Sequence, residues 1–336
     1  MNIDYPFKKA LVTSLPLVEV SFSMVNLLDL THVITFAPNL APLKRSIARA
    51  GILHPLILQE ICQSRRYRIV SGYKRLKVLE ILGGEKVIAY ISTAEDDLQL
   101  FLLGLEENLG TRSLNTVEKS LVLSKLVRQF GLSKEVILRE HLPSLGLGSD
   151  PKTLDLYLSI SDWPNEIQNN LASNRISLAL AQQLAALCPE DRQAFSWLIE
   201  ELRLGKSLQR KFLALLLDLA AKEKIPLSSL IEDEQLALLI NDPVAQAPVR
   251  ARRVREALIR RRYPTFAQAI ERFEELKKRL KLPPHISLKA SPFFEGEDWQ
   301  FSVTFRNREE LEAARKVLHR LTEDPFLNQL LHFHLS

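Results

Sequence analysis

Residues 67–77 read Tyr67-Arg-Ile-Val-Ser-Gly-Tyr-Lys-Arg-Leu-Lys77. A short run that reads as a strand gives way at Ser71-Gly72 to residues with helical spacing, so the stretch predicts a strand, a tight turn and a helix. A glycine in such a turn lets backbone N–H groups approach a phosphate closely, and the helix N-terminus adds favourable potential there. Lys74, Arg75 and Lys77 place cations in the first turn, where they supply charge-assisted donors to phosphate oxygens. Cations at a helix start oppose the macrodipole, a mild cost that a bound anion would offset. Without an anion, the same residues are a solvated face on a capped helix.

Outward from this turn the pattern is that of a small α/β domain. Leu43-Lys-Arg-Ser-Ile-Ala-Arg-Ala has helical spacing and stops at Gly51, a suitable C-cap. Pro55-Leu-Ile-Leu-Gln reads as a strand, followed by a polar turn at Gln63-Ser64. The helix after Gly72 ends at Gly83-Gly84, and Val87-Ile-Ala-Tyr-Ile reads as a further buried strand. From Asp96 to about Leu230 the period is helical, in short segments punctuated by Gly131, Ser133, Asp150-Pro151, Trp163-Pro164 and Ser177. Such punctuation fits a helix-turn-helix bundle better than a coiled coil.

A second segment pairs with the Gly72 turn: Glu107-Asn-Leu-Gly-Thr-Arg-Ser-Leu-Asn-Thr-Val-Glu118. Asn115 and Glu118 have the spacing of a capping box, which accounts for both. Capping does not account for Glu107, Asn108 or Arg112, which are candidate metal ligands in the first two cases and a candidate phosphate contact in the third.

Taken together and in this order, the segments resemble the boxes of the ParB family of partition proteins. Leu43-Lys-Arg-Ser-Ile with Gly51-Ile-Leu-His-Pro-Leu resembles the first box, Ser71-Gly-Tyr-Lys-Arg-Leu-Lys the second, and the segment from Glu107 the third. The helices from Val117 to Leu187 resemble the family's helix-turn-helix region, and Ile286 to Leu318 its small C-terminal dimer domain. The resemblance implies a clamp that binds CTP with Mg2+, loads on double-stranded DNA, forms a homodimer and partners a ParA-type ATPase. Gly51, His54 and Pro55 would lie beside the base; Ser71, Gly72, Lys74 and Arg75 would hold phosphates; Glu107, Asn108 and Arg112 would lie at the phosphate and metal side. The chain departs from the pattern at Tyr73, where the family carries a glutamate linked to CTP hydrolysis, and at His54, which replaces a glutamine. A phenol does not orient or deprotonate water as a carboxylate does, so weak CTP hydrolysis at most is expected.

The expected architecture is an α+β multidomain chain. It runs from an N-terminal extension (1–25) to a ParB-like α/β domain (26–115), an all-α DNA-binding domain (116–232), an arginine-rich linker (233–264) and a small α-β-β-α dimerisation domain (265–336). In the middle domain the candidate recognition helix begins at Asp150-Pro151 and offers Lys152, Thr153 and Tyr157 to DNA. Next to it in sequence, Arg252, Arg253 and Arg255 belong to a run, Arg250-Ala-Arg-Arg-Val-Arg-Glu-Ala-Leu-Ile-Arg-Arg-Arg-Tyr, that suits phosphate contact or a solvated helix face. If helical, the run puts Val254 and Leu258 on an apolar stripe. In the tail, His285-Ile-Ser-Leu-Lys-Ala and Trp299-Gln-Phe-Ser-Val-Thr-Phe alternate as two strands, and a two-stranded sheet alone is marginal in water.

Composition bounds the remaining choices. The 336 residues exceed one ordinary core, and 46% hydrophobic with 25% charged residues excludes disorder. A net charge of +5 permits a nucleic-acid partner without requiring one. Cys62 and Cys188 offer neither a disulfide framework nor metal spacing, and the seven histidines are scattered, with His332 and His334 expected at the surface. The opening residues lack the pattern of a secretory signal and no apolar run reaches membrane length, so a soluble cytoplasmic protein is expected. The alternative function is a nucleotide-binding adaptor on the same fold without sequence-specific DNA binding; a nuclease is disfavoured because no acidic cluster suited to two metals is evident.

Overall fold

A computed structural model describes residues 15–61, 66–290 and 298–331. Most of the expected N-terminal extension, Cys62, the turn at Gln63-Ser64, and His332 and His334 lie outside the described residues. The chain divides into two compact units, one ending at Gln193 and one starting at Ala194.

The first unit opens with β1 (Leu17–Ser21), α1 (Ala41–Ala50), β2 (Leu56–Ile61), β3 (Arg66–Ser71), α2 (Tyr73–Leu82), β4 (Lys86–Ser92) and α3 (Asp97–Thr111). The strands form one mixed sheet in the order β1-β4-β2-β3, with β2 and β4 parallel and the other pairs antiparallel. Strand β2 is central, and Leu56, Ile57 and Leu58 are all buried because both faces are covered. Leu56, Leu58, Ile69, Val87 and Ala89 meet Leu76 of α2 on one side, while Ile57 and Val70 meet Leu100 of α3 on the other. The expectation of an extension through residue 25 is corrected here: Leu17–Ser21 is the edge strand of the sheet, with Leu17 opposite Tyr90. Only Val20 of β1 is buried, so the strand lacked an alternating signal.

Helix α3 lies close against β3. A Cβ at Gly104 would fall 2.6 Å from the Val70 carbonyl oxygen, so only glycine permits this approach. The capping box is present as expected: Asn115 caps α4 (Thr116–Ser124) and Glu118 returns the bond to the Asn115 N–H. α4 widens into a π turn (Lys125–Gln129), and α5 (Lys134–Val136) runs through a second π turn (Ile137–His141) into α6 (Leu142–Ser144). α7 (Pro151–Ile160), α8 (Asn165–Ala172) and α9 (Leu178–Ala185) follow. Phe101 and Leu105 of α3 share one apolar cluster with Val122, Leu126, Ile137 and Leu154. That core runs continuously across residue 115, where two domains had been expected to meet.

The second unit is helical before its small sheet. The unit boundary falls within α10 (Pro189–Glu201), followed by α11 (Lys206–Glu223), α12 (Leu227–Ile231), α13 (Glu234–Ile240), α14 (Ala247–Arg262) and α15 (Pro264–Arg279). The stretch expected to be a linker is thus two helices. The apolar stripe of α14 is the reason, since Ala251, Val254 and Leu258 are buried and α14 packs against α11 and α13. β5 (Ile286–Ala290) pairs antiparallel with β6 (Trp299–Val303), Ile286 opposite Val303, and α16 (Arg308–Leu321) and α17 (Pro325–Leu331) follow. Leu288, Leu321 and Leu330 pack with Phe273, Leu276 and Leu280 of α15. Among the described residues no helix is long and apolar enough to cross a membrane.

Candidate nucleotide pocket and nucleic-acid surfaces

The β3–α2 turn is built on Gly72, whose φ of 97° is left-handed. A Cβ there would also meet Leu56 Cγ at 3.0 Å and the Arg75 guanidinium at 3.1 Å. The turn opens onto a cavity of about 200 Å3. Ser71, Gly72, Lys74, Arg75, Glu107, Asn108 and Arg112 all line it, so two segments more than thirty residues apart in sequence meet at one place, as their reading as a single site requires.

The hydrogen bonds among them are specific. Ser71 Oγ donates to Glu107 Oε2 at 2.7 Å, and Arg75 Nη2 donates to Glu107 Oε1 at 3.3 Å. Arg75 Nη1 also donates to the carbonyls of His54 (2.6 Å) and Pro55 (3.0 Å). Burial pushes the Arg75 pKa down, against the opposing pull of Glu107. Arg112 donates from Nη1 to Glu118 at 2.6 Å and from Nε to Asn108 Oδ1 at 2.9 Å. Glu118 is buried and also accepts from the Asn115 N–H, so the capping residue doubles as the counter-ion of Arg112. Lys74 differs from its neighbours: it has no hydrogen bond or ion pair with another described residue. Burial pushes its pKa down, and the nearby Arg112 charge adds to that. A cation held beside another cation, half-buried and without a carboxylate, is the electrostatic condition for binding an anion.

The residues expected beside a base fall differently. Gly51 ends α1 and His54 is exposed; with Pro55 they stand outside the cavity lining and reach it only through the two carbonyls that hold Arg75. Four lining residues escaped the sequence reading: His32, Thr35, Leu43 and Thr111. The loop carrying His32 and Thr35 has neither periodicity nor a motif, which is why it gave no signal. Glu107 and Asn108, the candidate metal ligands, each have their side-chain oxygens engaged by Ser71, Arg75 or Arg112. Among the described residues no group of three His, Cys, Asp or Glu side chains could hold a metal ion. A carboxylate and an amide oxygen still suit Mg2+ that arrives with phosphates, because that ion takes few protein ligands and completes its shell with phosphate and water.

The candidate DNA-contacting residues divide sharply. Lys152 is exposed at the start of α7. Thr153 is occupied by the cap, its N–H and Oγ1 both donating to Asp150 at 2.9 and 2.7 Å. Tyr157 is corrected: it is 2% exposed and packs in the core with Leu126 and Leu154, so its ring does not reach solvent. Tyr157 lies one turn after Thr153, on the side of α7 that packs against α4. The arginine run is largely consumed within its own unit. Arg250 donates to Glu201 Oε1 (2.6 Å), to the Glu201 carbonyl (3.0 Å) and to the Ile240 carbonyl. Arg253 pairs with Asp242 (2.8 Å), Arg261 with Glu223 (2.7 Å) and Asp233 (3.0 Å), and Arg262 with Asp218. Arg252 reaches Glu256 only at 4.0 Å, and Arg255 is exposed without a partner among the described residues.

Residues 19–109 match the family model described as the ParB N-terminal domain. A probable chromosome-partitioning protein ParB of Neisseria meningitidis is 30% identical over 148 residues, 44% of this chain and 49% of that protein. A nucleoid occlusion protein of Oceanobacillus iheyensis is 27% identical over 151 residues, 45% of this chain and 50% of that protein. The chain spans about half the length of these curated relatives. A crystal structure of C-terminally truncated Caulobacter crescentus ParB with the centromeric parS site is 20% identical with a TM-score of 0.34, covering 58% of this chain and 99% of that one. A structure of the same protein with CTP-γ-S is 22% identical with a TM-score of 0.26, covering 52% and 94%. The chain carries a ParB N-terminal domain and is similar to ParB-type partition proteins, as its motifs imply.

Proposed function

We propose that the first unit binds CTP in the cavity beside Gly72, and that the whole chain is a nucleotide-gated, DNA-associated partition protein of the nucleoid. The observation that carries the reading is Lys74, an unpaired, half-buried cation at the mouth of a helix N-terminus, with Arg75 and Arg112 beside it. These three would hold the phosphates, and Glu107 with Asn108 would take Mg2+, which would bridge phosphate oxygens and neutralise their charge. Arg75 and Arg112 would then exchange carboxylate partners for phosphate, giving ligand binding a route to the α3–α4 junction at Glu118. Tyr73 leaves the turn without a carboxylate to activate water, so turnover would be slow.

Calorimetry on the full chain with CTP and Mg2+ tests the site. Arg75→Ala should weaken binding by roughly ten- to hundredfold, the loss of a charge-assisted contact of about 1.5–3 kcal/mol. Equal binding by the variant, or no CTP binding by the wild type, would overturn the assignment.

The helices around α7 are proposed to contact double-stranded DNA and the tail to form a homodimer; a ParA-type ATPase is the corresponding protein partner. For the dimer, the support is a lone pair of strands with Phe305 and Leu311 exposed beside it. Val303→Glu should give a folded monomer by light scattering where the wild type is a dimer; a monomeric wild type at micromolar concentration refutes this part. A second reading, an adaptor that binds nucleotide without reading DNA sequence, is favoured by one observation: of the three candidate contacts on α7, Tyr157 is buried and Thr153 is spent on its cap.

A further inference from the structure

The cavity wall contains a polar atom that the phosphate contacts leave unused. His32 lines the cavity and is 3% exposed. Its Nε2 lies 3.3 Å from Gln59 Oε1 and 3.7 Å from Asp97 Oδ1. The buried Gln59 settles the direction of the shorter contact, because its Nε2 donates to the Ala94 carbonyl at 2.9 Å and to Asp97 Oδ1 at 3.3 Å. With that nitrogen committed to two acceptors, Gln59 Oε1 faces His32 as an acceptor. His32 Nε2 therefore carries the ring hydrogen. Burial pushes the His32 pKa below its ordinary value, so the ring is neutral and Nδ1 holds a lone pair. That Nδ1 is buried and has no partner among the described residues.

Slack in the wall does not explain the unpaired atom. Lys125 Nζ donates to the carbonyls of Leu30 and Thr31, the latter at 2.9 Å. Asp29 accepts from the Thr31 N–H at 3.0 Å and lies 3.5 Å from Arg68. The loop is held on both sides of the residue before His32, and buried acceptors left without a donor are uncommon in well-fixed structure. A phosphate would not satisfy this atom, since ionised phosphate oxygens only accept. The cations Lys74, Arg75 and Arg112 suit the anionic part of a ligand, whereas a neutral acceptor suits the part that bears N–H or O–H groups.

We propose that His32 Nδ1 accepts a hydrogen bond from the nucleoside part of the cavity's ligand and so helps determine which nucleotide binds. The donor is an exocyclic amine of the base or a ribose hydroxyl. This inference rests on the nucleotide reading above. The experiment is calorimetry of the full chain with CTP, UTP, 2′-deoxy-CTP and 3′-deoxy-CTP, using wild type, His32→Phe and His32→Asn. Wild type should bind one of the three analogues roughly tenfold more weakly than CTP. A weakened UTP identifies the amine, and a weakened deoxy analogue identifies the hydroxyl. His32→Phe should lose about the same factor for CTP and no longer discriminate against that analogue. His32→Asn, whose amide oxygen can stand near the Nδ1 position, should keep most of both. His32→Phe that binds CTP as wild type does, or that keeps full discrimination, overturns the proposal. Should that variant fail to fold, wild-type protein labelled with 15N-histidine decides: CTP should shift the His32 Nδ1 resonance, and an unmoved resonance overturns the role. Absence of CTP binding by wild type is a distinct result, removing the nucleotide reading and the His32 role together.

Discussion

Two groups of basic residues in this chain look alike in sequence and end in opposite electrostatic states. Around the Gly72 turn, Lys74, Arg75 and Arg112 converge on one cavity with Glu107 and Glu118, and Lys74 has no counter-ion. Along α14, a denser run of arginines meets Glu201, Asp218, Glu223, Asp233 and Asp242, carboxylates brought from other elements of its own unit. The denser cluster is therefore the less available one. A cation becomes a binding group when folding leaves it short of carboxylates, and a structural group when folding supplies them.

The comparison breaks most readily at Arg250, the most enclosed arginine of α14. Arg250→Ala should destabilise the protein by about 2–3 kcal/mol, because Glu201 and the Ile240 carbonyl lose a shared, partly buried donor. Urea denaturation checks this; a change below about 0.5 kcal/mol would return the run to the solvated-face reading. Lys74→Ala makes the opposite demand. It should leave the unfolding midpoint nearly unchanged, since no partner is lost, yet weaken CTP binding by roughly tenfold. A stability loss with unchanged affinity would show that Lys74 has a structural role. The smallest effect is expected for the triple replacement of Arg252, Arg253 and Arg255 by alanine. Arg253 is held by Asp242 and Arg252 is loosely placed, so the log–log salt slope of DNA binding should fall by only about 0.9, the contribution of Arg255. A fall near three times that value would mean that the run abandons its carboxylates for DNA.

Much of the local structure was legible because its signals act within a few residues. Asn115 with Glu118, Asp150 with Pro151, and Ser133 mark helix starts that the structure reproduces, since a cap needs only the next turn. β1 was missed for a related reason: an edge strand with one buried residue has no period to read. The helix at 247–262 was taken for part of a linker because Asn241-Asp-Pro and Ala247-Pro look like breakers, whereas Pro at a first helical turn starts a helix.

The sequence by itself determined the β3–Gly72–α2 turn, the pairing of that turn with the Glu107 segment, and the ParB resemblance that both carry. Only the tertiary structure decided which of those residues share a cavity, that Gly51, His54 and Pro55 stand outside its lining, and that His32 stands within it. Tertiary packing also decided that Tyr157 is core and that most of the arginine run is paired. The reason is one of range. Turns, caps and periods depend on neighbours within a helical turn, while a charge's partner or a ring's burial depends on residues tens of positions away, such as Glu201 for Arg250 and Gln59 for His32.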